Sequence, residues 1–185
     1  MNEKMTSDLI EKSLRGDGSA YRKLVEAFQS MIYRVSFRML ADEEEAKDVV
    51  QETFIKAWEN LLKFNTSMKF STWLYKIATN NCLDRLKSSR YREKQQSIDI
   101  NSINVINEAK ENTIESNMIN RELVILIKFL TKNLSPKQKV VFTLHEIEGY
   151  NNEEVKEITG FSNAKIKSNL YLARKTIRER LKLLK

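Results

Sequence analysis

The sequence predicts an all-α protein built from two small helical domains joined by a flexible linker. Three observations support this fold class. Only four glycines and one proline interrupt the 185 residues, apolar residues recur at helical spacing through most of the chain, and one central stretch lacks that spacing. We place the first domain at residues 1–94, the linker at 95–117 and the second domain at 118–185.

The first domain is predicted to contain three or four helices. Ser19 is the expected N-cap of one helix, Asp42 of the next, and Ser71 or Thr72 of a third that runs to about Arg90. In this third helix, the side chains expected to face the core are Leu74, Ala78, Cys82 and Leu86.

Residues 95–117 form the predicted linker, in which Ser, Asn, Gln and Glu dominate. A structureless loop of this length is uncommon inside one compact domain, so the segment is better interpreted as a tether. Fully extended, it could reach about 75 Å. The two domains therefore need not touch.

The second domain begins with an apolar helix over about 118–132. Ser135, Asn151 and Ser162 are the expected N-caps of three further helices, and Gly160 turns the chain between the last two. The expected inner stripe of the final helix is Ile166, Leu170, Ala173, Ile177 and Leu181.

Charge is distributed in blocks along the chain. Residues 42–60 hold seven acidic and two basic side chains, whereas residues 61–94 hold eight basic and two acidic ones. Residues 162–185 hold eight basic side chains and one acidic side chain. Two basic blocks separated by acidic ones favour a polyanionic partner, with the acidic helix turned towards something else.

Several classes of protein are excluded by composition. Cys82 and His145 are the only cysteine and histidine, and a structural zinc site needs about four such ligands. We find no phosphate loop and no catalytic arrangement, so we expect no metal, no cofactor, no small-molecule substrate and no enzyme activity. The longest aliphatic run has five residues, far below the roughly 20 that span a bilayer. A cytoplasmic protein is expected.

The C-terminal part has the pattern of a helix-turn-helix DNA reader, in which a short helix and a glycine turn precede a basic helix. A basic solvated helix at the end of a bundle is the alternative. The side chains predicted to face duplex DNA are Asn163, Lys165, Lys167, Ser168 and Tyr171, with Arg174, Lys175 and Arg178 nearer the backbone.

Aromatic and basic residues alternate between residues 63 and 85. Exposed rings beside lysines suit unstacked bases, because stacking requires an accessible base face. Any one of these rings could instead belong to the core, but Phe64 lies in a polar loop and is expected to be exposed. In the acidic helix, Ile55 and Trp58 add apolar area, which favours a protein contact over an ordinary solvated face.

Three motifs resemble one family. They are DVVQETFIKAW at Asp48–Trp58, FSTWLYKIATNNCLDRLK at Phe70–Lys87 and FSNAKIKSNLYLARK at Phe161–Lys175. In this order they are similar to bacterial sigma factors of the sigma-70 family, extracytoplasmic-function group. The resemblance covers nearly the whole chain.

The resemblance implies that the domains are sigma regions 2 and 4, with core RNA polymerase, promoter DNA and an anti-sigma factor as partners. Region 2 would melt the minus-ten element and hold its single-stranded non-template strand, and region 4 would read the minus-thirty-five element as duplex with the residues given above. The helix around 140–144 would help dock region 4 on the polymerase flap. The polymerase-docking residues implied are Asp48, Gln51, Glu52 and Ile55. The minus-ten residues implied are Lys63, Phe64, Asn65, Lys69, Phe70, Thr72, Trp73, Tyr75, Lys76 and Asn80.

The chain departs from the family pattern in the final helix. The family often has Gly-Thr where this chain has Ala164-Lys165, and a basic residue where it has Asn169 and Leu172. Upstream base choice is therefore expected to differ from that of relatives. Two other function classes stay open at this point: a stand-alone helix-turn-helix transcriptional regulator, and an interaction protein whose basic faces bind acidic proteins.

Overall fold

The computed structural model describes residues 2–88 and 126–183. The predicted linker, residues 95–117, lies outside these ranges, as does the start of the helix predicted from residue 118. No helix within the described ranges is both long enough and apolar enough to cross a membrane.

Residues 2–88 form a bundle that we call the first module. Its elements are α1 (Glu3–Leu14), α2 (Gly18–Leu40), α3 (Glu43–Glu59), a short 3₁₀ turn (Leu61–Lys63) and α4 (Phe70–Lys87). Helix α1 was not predicted, because charged residues dominate its sequence and its apolar side is short. Leu9 and Ile10 are buried there, and the Asn2 side chain caps the helix by accepting the Met5 N–H at 2.8 Å.

The N-caps agree with prediction at one helix and differ at two. Asp42 caps α3 by accepting the Glu45 N–H at 3.2 Å, as expected. The cap of α2 is Asp17 and not Ser19, since the Asp17 carboxylate accepts the N–H groups of both Ser19 and Ala20. A carboxylate at this position also interacts favourably with the helix dipole.

Helix α4 begins earlier than predicted and without a side-chain cap. Its first residue is Phe70 and its N-cap position is Lys69, so the assignment of Ser71 or Thr72 as the cap was wrong. Phe70 is buried against the rings of Phe28 and Phe64. Aromatic packing therefore fixes this helix end in place of a cap.

Helix α4 is the centre of the molecule. All four side chains predicted to face the core are buried, and other buried residues lie on further sides of the helix. A helix buried on several sides must have neighbours on several sides. Burial raises the pKa of the Cys82 thiol to about 12, so this cysteine is a core residue in its reduced, neutral form.

Residues 126–183 form the second module. Its helices are α5 (126–131), α6 (Pro136–Phe142, continued by a π turn over Thr143–Ile147), α7 (Asn152–Thr159) and α8 (Asn163–Lys182). The predicted caps at Ser135, Asn151 and Ser162 are confirmed, and Gly160 adopts the left-handed conformation with φ of 69°. Of the predicted inner stripe of α8, only Leu181 is exposed, because it lies in the last turn of the helix.

The two modules pack against each other. Helices α6 and α7 lie on α4, and the π turn lies on α2. Buried side chains from both modules form one hydrophobic cluster. Helix α4 therefore has α2 and α3 on one side and the second module on another, which explains why so much of its surface is buried.

Candidate nucleic-acid and protein interfaces

An apolar groove lies between α2 and α3. It encloses about 850 Å³ and is bordered by Tyr21, Trp58, Gln51 and Ile55. The Tyr21 hydroxyl donates to the Phe54 carbonyl at 2.5 Å, and its ring packs on Trp58 with centroids 4.7 Å apart. Ile55 and Trp58 are exposed, so the groove offers an accessible apolar surface.

The four acidic-helix residues predicted for docking recur at helical spacing on α3, but only two of them border the groove. Gln51 and Ile55 line the groove, and Asp48 is exposed close to them. Glu52 turns towards α4, where its carboxylate accepts from Arg85 at 2.5 Å. Arg85 also donates to Glu45 at 2.8 Å, so two carboxylates of α3 are held by one guanidinium of α4.

A second cavity, of about 400 Å³, lies between α3 and α4. We call it the α3–α4 pocket. Four predicted minus-ten residues line it together: Lys63, Trp73, Lys76 and Asn80. Lys76 and Asn80 are exposed, and Trp73 supplies an aromatic wall. The pocket therefore combines cations, amides and a flat ring in one concave surface.

Five further residues of the α3–α4 pocket were missed by sequence reasoning: Lys56, Asn60, Ile77, Asn81 and Asp84. Lys56 donates to Asn81 at 2.5 Å, and Lys63 donates to Asn60 at 3.0 Å. Lys56 and Asn60 are four residues apart, so helical spacing could have placed them on one face, but the acidic charge of residues 42–60 obscured that signal.

Two rings predicted to contact bases are packed inside the protein. Phe70 is buried, and Phe64 is partly buried although an exposed ring was expected from its polar loop. Phe64 contacts Phe70 and Trp73, with centroids 5.4 and 5.1 Å apart, respectively. The apolar surface of these neighbours draws Phe64 inward, so these two rings buttress Trp73 and leave its pocket side accessible.

Three predicted residues lie at the rim of this region. Asn65 is exposed and accepts the Ser67 N–H at 2.9 Å, which shapes the loop before α4. Lys69 is exposed beside Glu3, with 3.6 Å between the ammonium nitrogen and a carboxylate oxygen. Thr72, in the first turn of α4, is partly exposed.

Tyr75 is placed differently from the other predicted minus-ten residues. It does not line the α3–α4 pocket, since helical spacing directs it to the other side of α4. Its side chain is 3% exposed and lies under the second module. In this arrangement Tyr75 is not available to DNA.

The helix-turn-helix consists of α7, Gly160 and α8. On α8, Lys167, Ser168, Tyr171 and Lys175 are exposed, and Tyr171 is 69% accessible. Asn163 and Lys165 are engaged locally. The Asn163 amide donates to Glu153 at 2.7 Å, and the Lys165 ammonium lies 4.1 Å from the centre of the Phe161 ring.

A carboxylate of the π turn touches the basic side of α8. Arg174 donates to Glu146 at 2.6 Å, and His145 lies 2.9 Å from the same oxygen. The Arg174 guanidinium and the other polar groups around Glu146 lower the pKa of this carboxyl, although its partial burial acts in the opposite direction. Sequence spacing gave no signal for this pair.

Comparison with known families assigns both modules. Residues 24–92 match the model of sigma-70 region 2, and residues 126–177 match the model of sigma-70 region 4.

Curated relatives match along the whole chain. The chain is 28% identical to the ECF RNA polymerase sigma factor SigW of Bacillus subtilis, over 97% of this chain and 98% of the relative. It is 30% identical to the ECF RNA polymerase sigma-E factor of Haemophilus influenzae, over 98% of each chain.

Solved structures share the fold. CnrH in complex with the cytosolic domain of CnrY gives a TM-score of 0.68 at 20% identity, covering 97% of this chain and 98% of that one. The sigma factor RpoE in complex with the anti-sigma factor NepR, from Bartonella quintana, gives 0.60 at 22% identity, covering 88% and 96%, respectively.

Proposed function

The chain belongs to the extracytoplasmic-function group of the sigma-70 family, and we propose that its α3 surface, α3–α4 pocket and α8 perform three separate tasks in promoter recognition. As a sigma factor, it binds core RNA polymerase and directs promoter-specific transcription initiation. The division of tasks rests on one observation. Each module presents its own accessible basic surface, while α3 presents an apolar one. A stand-alone helix-turn-helix regulator would leave region 2 without a role.

Helix α3 is the proposed docking surface for core polymerase. Ile55 and Trp58 supply apolar area at its centre, and Asp48, Gln51 and Glu52 supply polar groups around it. Interfaces of this composition, with an apolar centre and a polar rim, are typical of specific protein contacts. The ion pair with Arg85 fixes the orientation of Glu52, so less side-chain freedom is lost on docking.

The α3–α4 pocket is the proposed site for an unpaired base of the non-template strand. A base can stack on Trp73, Asn80 can hydrogen-bond to its edge, and Lys63 and Lys76 can contact the adjacent phosphates. Phe64 and Phe70 support Trp73 from behind and do not contact the base. Asn65, Lys69 and Thr72 would contact the strand on either side of the captured base.

Helix α8 is the proposed reader of the minus-thirty-five duplex. Lys167, Ser168 and Tyr171 would contact base edges or the groove floor, and Arg174 and Lys175 would contact phosphates. Asn163 and Lys165 would first have to leave their local partners, Glu153 and the Phe161 ring.

We also propose an anti-sigma factor as a partner and the cytoplasm as the location. The solved relative RpoE was crystallised with its anti-sigma factor NepR, and core polymerase operates in the cytoplasm. A partner that occupies the groove between α2 and α3 would compete directly with polymerase.

Run-off transcription tests the proposed function. Core polymerase reconstituted with the full chain should give a discrete product from templates that carry its cognate promoter and no product without the chain. If the minus-thirty-five element is exchanged, substitutions in α8 should restore the run-off product. If the minus-ten element is exchanged, substitutions in the α3–α4 pocket should restore it. Transcription that is independent of both elements would refute the division of tasks.

A further inference from the structure

The outermost side of α8 is partly apolar, although the helix as a whole is basic. At about 3.6 residues per turn, the side opposite its buried stripe carries Ser168, Tyr171 and Leu172. Tyr171 and Leu172 are 69% and 43% exposed, respectively. An exposed apolar surface therefore lies at the middle of the helix that is proposed to read duplex DNA.

Several side chains of α8 that could form paired hydrogen bonds with a purine have local partners. Guanine is read chiefly by Arg or Lys, and adenine by Asn or Gln. The Asn169 amide donates to the Lys165 carbonyl of its own helix at 2.7 Å. Arg174 donates to Glu146 at 2.6 Å, and the Arg180 guanidinium lies 4.0 Å from the centre of an aromatic ring of α5. These three side chains are engaged within the protein, whereas Leu172 is exposed.

Asn169 and Leu172 are the positions at which α8 lacks the basic residue that is common in the family. The structure places them differently. Asn169 is partly buried and bonded to its own helix, whereas Leu172 is exposed four residues after Ser168, on the same side. Leu172 is therefore the position at which an apolar side chain replaces a basic one on the accessible surface.

Cations lie beside this apolar surface. A cavity of about 590 Å³ next to Tyr171 is lined by Lys167, Arg174, Lys175 and Arg178. Phosphate contacts fix the position of a protein on the duplex, and contacts with base edges in the groove specify the sequence. In the major groove, thymine presents a C5-methyl group, which apolar side chains contact. Helix α8 thus combines groups for the phosphates with an apolar group for a methyl.

We propose that Leu172 contacts the C5-methyl group of a thymine in the minus-thirty-five element and thereby selects an A·T pair at that position. Four residues of helix rise about 6 Å, roughly the length of two base pairs, so Ser168 meets an adjacent pair. This inference rests on the proposed function, in which α8 reads the minus-thirty-five duplex, and it specifies the base that one side chain of α8 selects.

Selection from templates with a randomised minus-thirty-five element tests the base choice. Holoenzyme made from core polymerase and the full chain should enrich one A·T pair that depends on Leu172. Leu172→Arg should enrich a G·C pair there instead, because an arginine fork bonds both acceptors of guanine, and the other enriched positions should be unchanged. If Leu172→Arg enriches the same bases as wild type at every position, the proposal is wrong.

Removal of a single methyl group from the DNA gives a second test. Deoxyuridine in place of the selected thymine keeps the base pair and lacks only the C5-methyl group. Wild-type holoenzyme should bind the deoxyuridine template about fourfold more weakly, which is the effect of one buried methyl group. Leu172→Ala should bind both templates equally. Leu181→Ala is the matched control, because Leu181 is 45% exposed in the last turn of α8, and it should keep the fourfold difference.

The possible results separate this inference from the proposed function. Equal binding of the thymine and deoxyuridine templates by wild type would overturn the inference and leave the role of α8 intact. If Leu172→Ala instead weakens binding to core polymerase without DNA, Leu172 is a protein contact and the inference is also overturned. A selection that shows no upstream preference at all would refute the proposed role of α8 together with the inference. Circular dichroism should show the same helix content in every variant, because both leucines are exposed.

Discussion

Trp73 provides the sharpest test of the α3–α4 pocket. One side of its ring is occupied by Phe64 and Phe70, with centroids 5.1 and 5.7 Å away, and the indole also lines the pocket. Replacement of Trp73 by Leu preserves apolar contact with the two phenylalanines but removes the flat surface on which a base can stack. Stacking of one base is worth about 1–3 kcal/mol, so occupancy of the pocket should fall roughly 5- to 150-fold.

The assay is the lifetime of open complexes formed by saturating holoenzyme. A duplex promoter and a template with a premelted bubble at the minus-ten element should be compared. Trp73→Leu should shorten the lifetime on both templates, because capture of the unpaired base is lost in each. Trp73→Phe keeps a ring in place and is the matched control, with a lifetime close to that of wild type.

Thermal unfolding of the same variants distinguishes capture from packing. Trp73 is only partly buried, so Trp73→Leu should unfold as cooperatively as the wild type, with a modest loss of stability. An equal lifetime for Trp73→Leu and wild type on the bubble template would refute base capture at this pocket. If the variant also unfolds globally, its short lifetime would be attributed to loss of the fold and not to loss of base capture.

Three further predictions concern other parts of the chain. Gln51→Ala combined with Glu52→Ala should weaken binding to core polymerase by about tenfold in a fluorescence titration, and undiminished binding would contradict the α3 docking surface. Lys167→Ala should reduce use of the minus-thirty-five element and lower the log–log salt slope of duplex binding by about 0.9, with polymerase affinity unchanged. Burial, together with the charge of Lys128, lowers the pKa of Lys139 to about 8. Stability should therefore rise between about pH 8 and pH 10.5, by about 3 kcal/mol from this group, and denaturant titrations of Lys139→Met should lack that rise.

The sign of the Lys139 effect follows from proton binding. Below about pH 8 the ammonium is charged in both the folded and the unfolded chain, and the cost of burying it is fully present. Between about pH 8 and the ordinary lysine value of 10.5, the unfolded chain binds more protons than the folded chain, so a rise in pH favours folding. A Lys139→Met variant with the same slope as wild type would show that other groups cause it.

Local chemistry predicted the second module well. The side chains of Ser135, Asn151 and Ser162 accept from backbone N–H groups in the first turns of the helices that they cap. Gly160 adopts the left-handed backbone conformation that favours glycine. Information of this kind lies within four residues of sequence. The helix-turn-helix could therefore be placed before any three-dimensional contact was known.

Features that depend on distant residues could not be predicted in the same way. Phe64 is drawn inward by Phe70 and Trp73, and Tyr75 is covered by Glu148 and Tyr150, which are more than 70 residues away. Sequence alone does not show whether a ring in a polar loop or in a basic helix is exposed to solvent or packed against another module. Burial of α4 on a second side is a property of module packing and has no local signature.

Energetics make promoter opening by this chain dependent on polymerase. Separation of about ten base-pair steps costs on the order of 14 kcal/mol at roughly 1.4 kcal/mol per step. Capture of one or two bases returns about 2–6 kcal/mol, so the pocket alone cannot melt DNA. The remainder must be met by contacts with polymerase, which makes promoter opening by this chain conditional on docking. A free chain that melts a promoter without polymerase would be incompatible with these magnitudes.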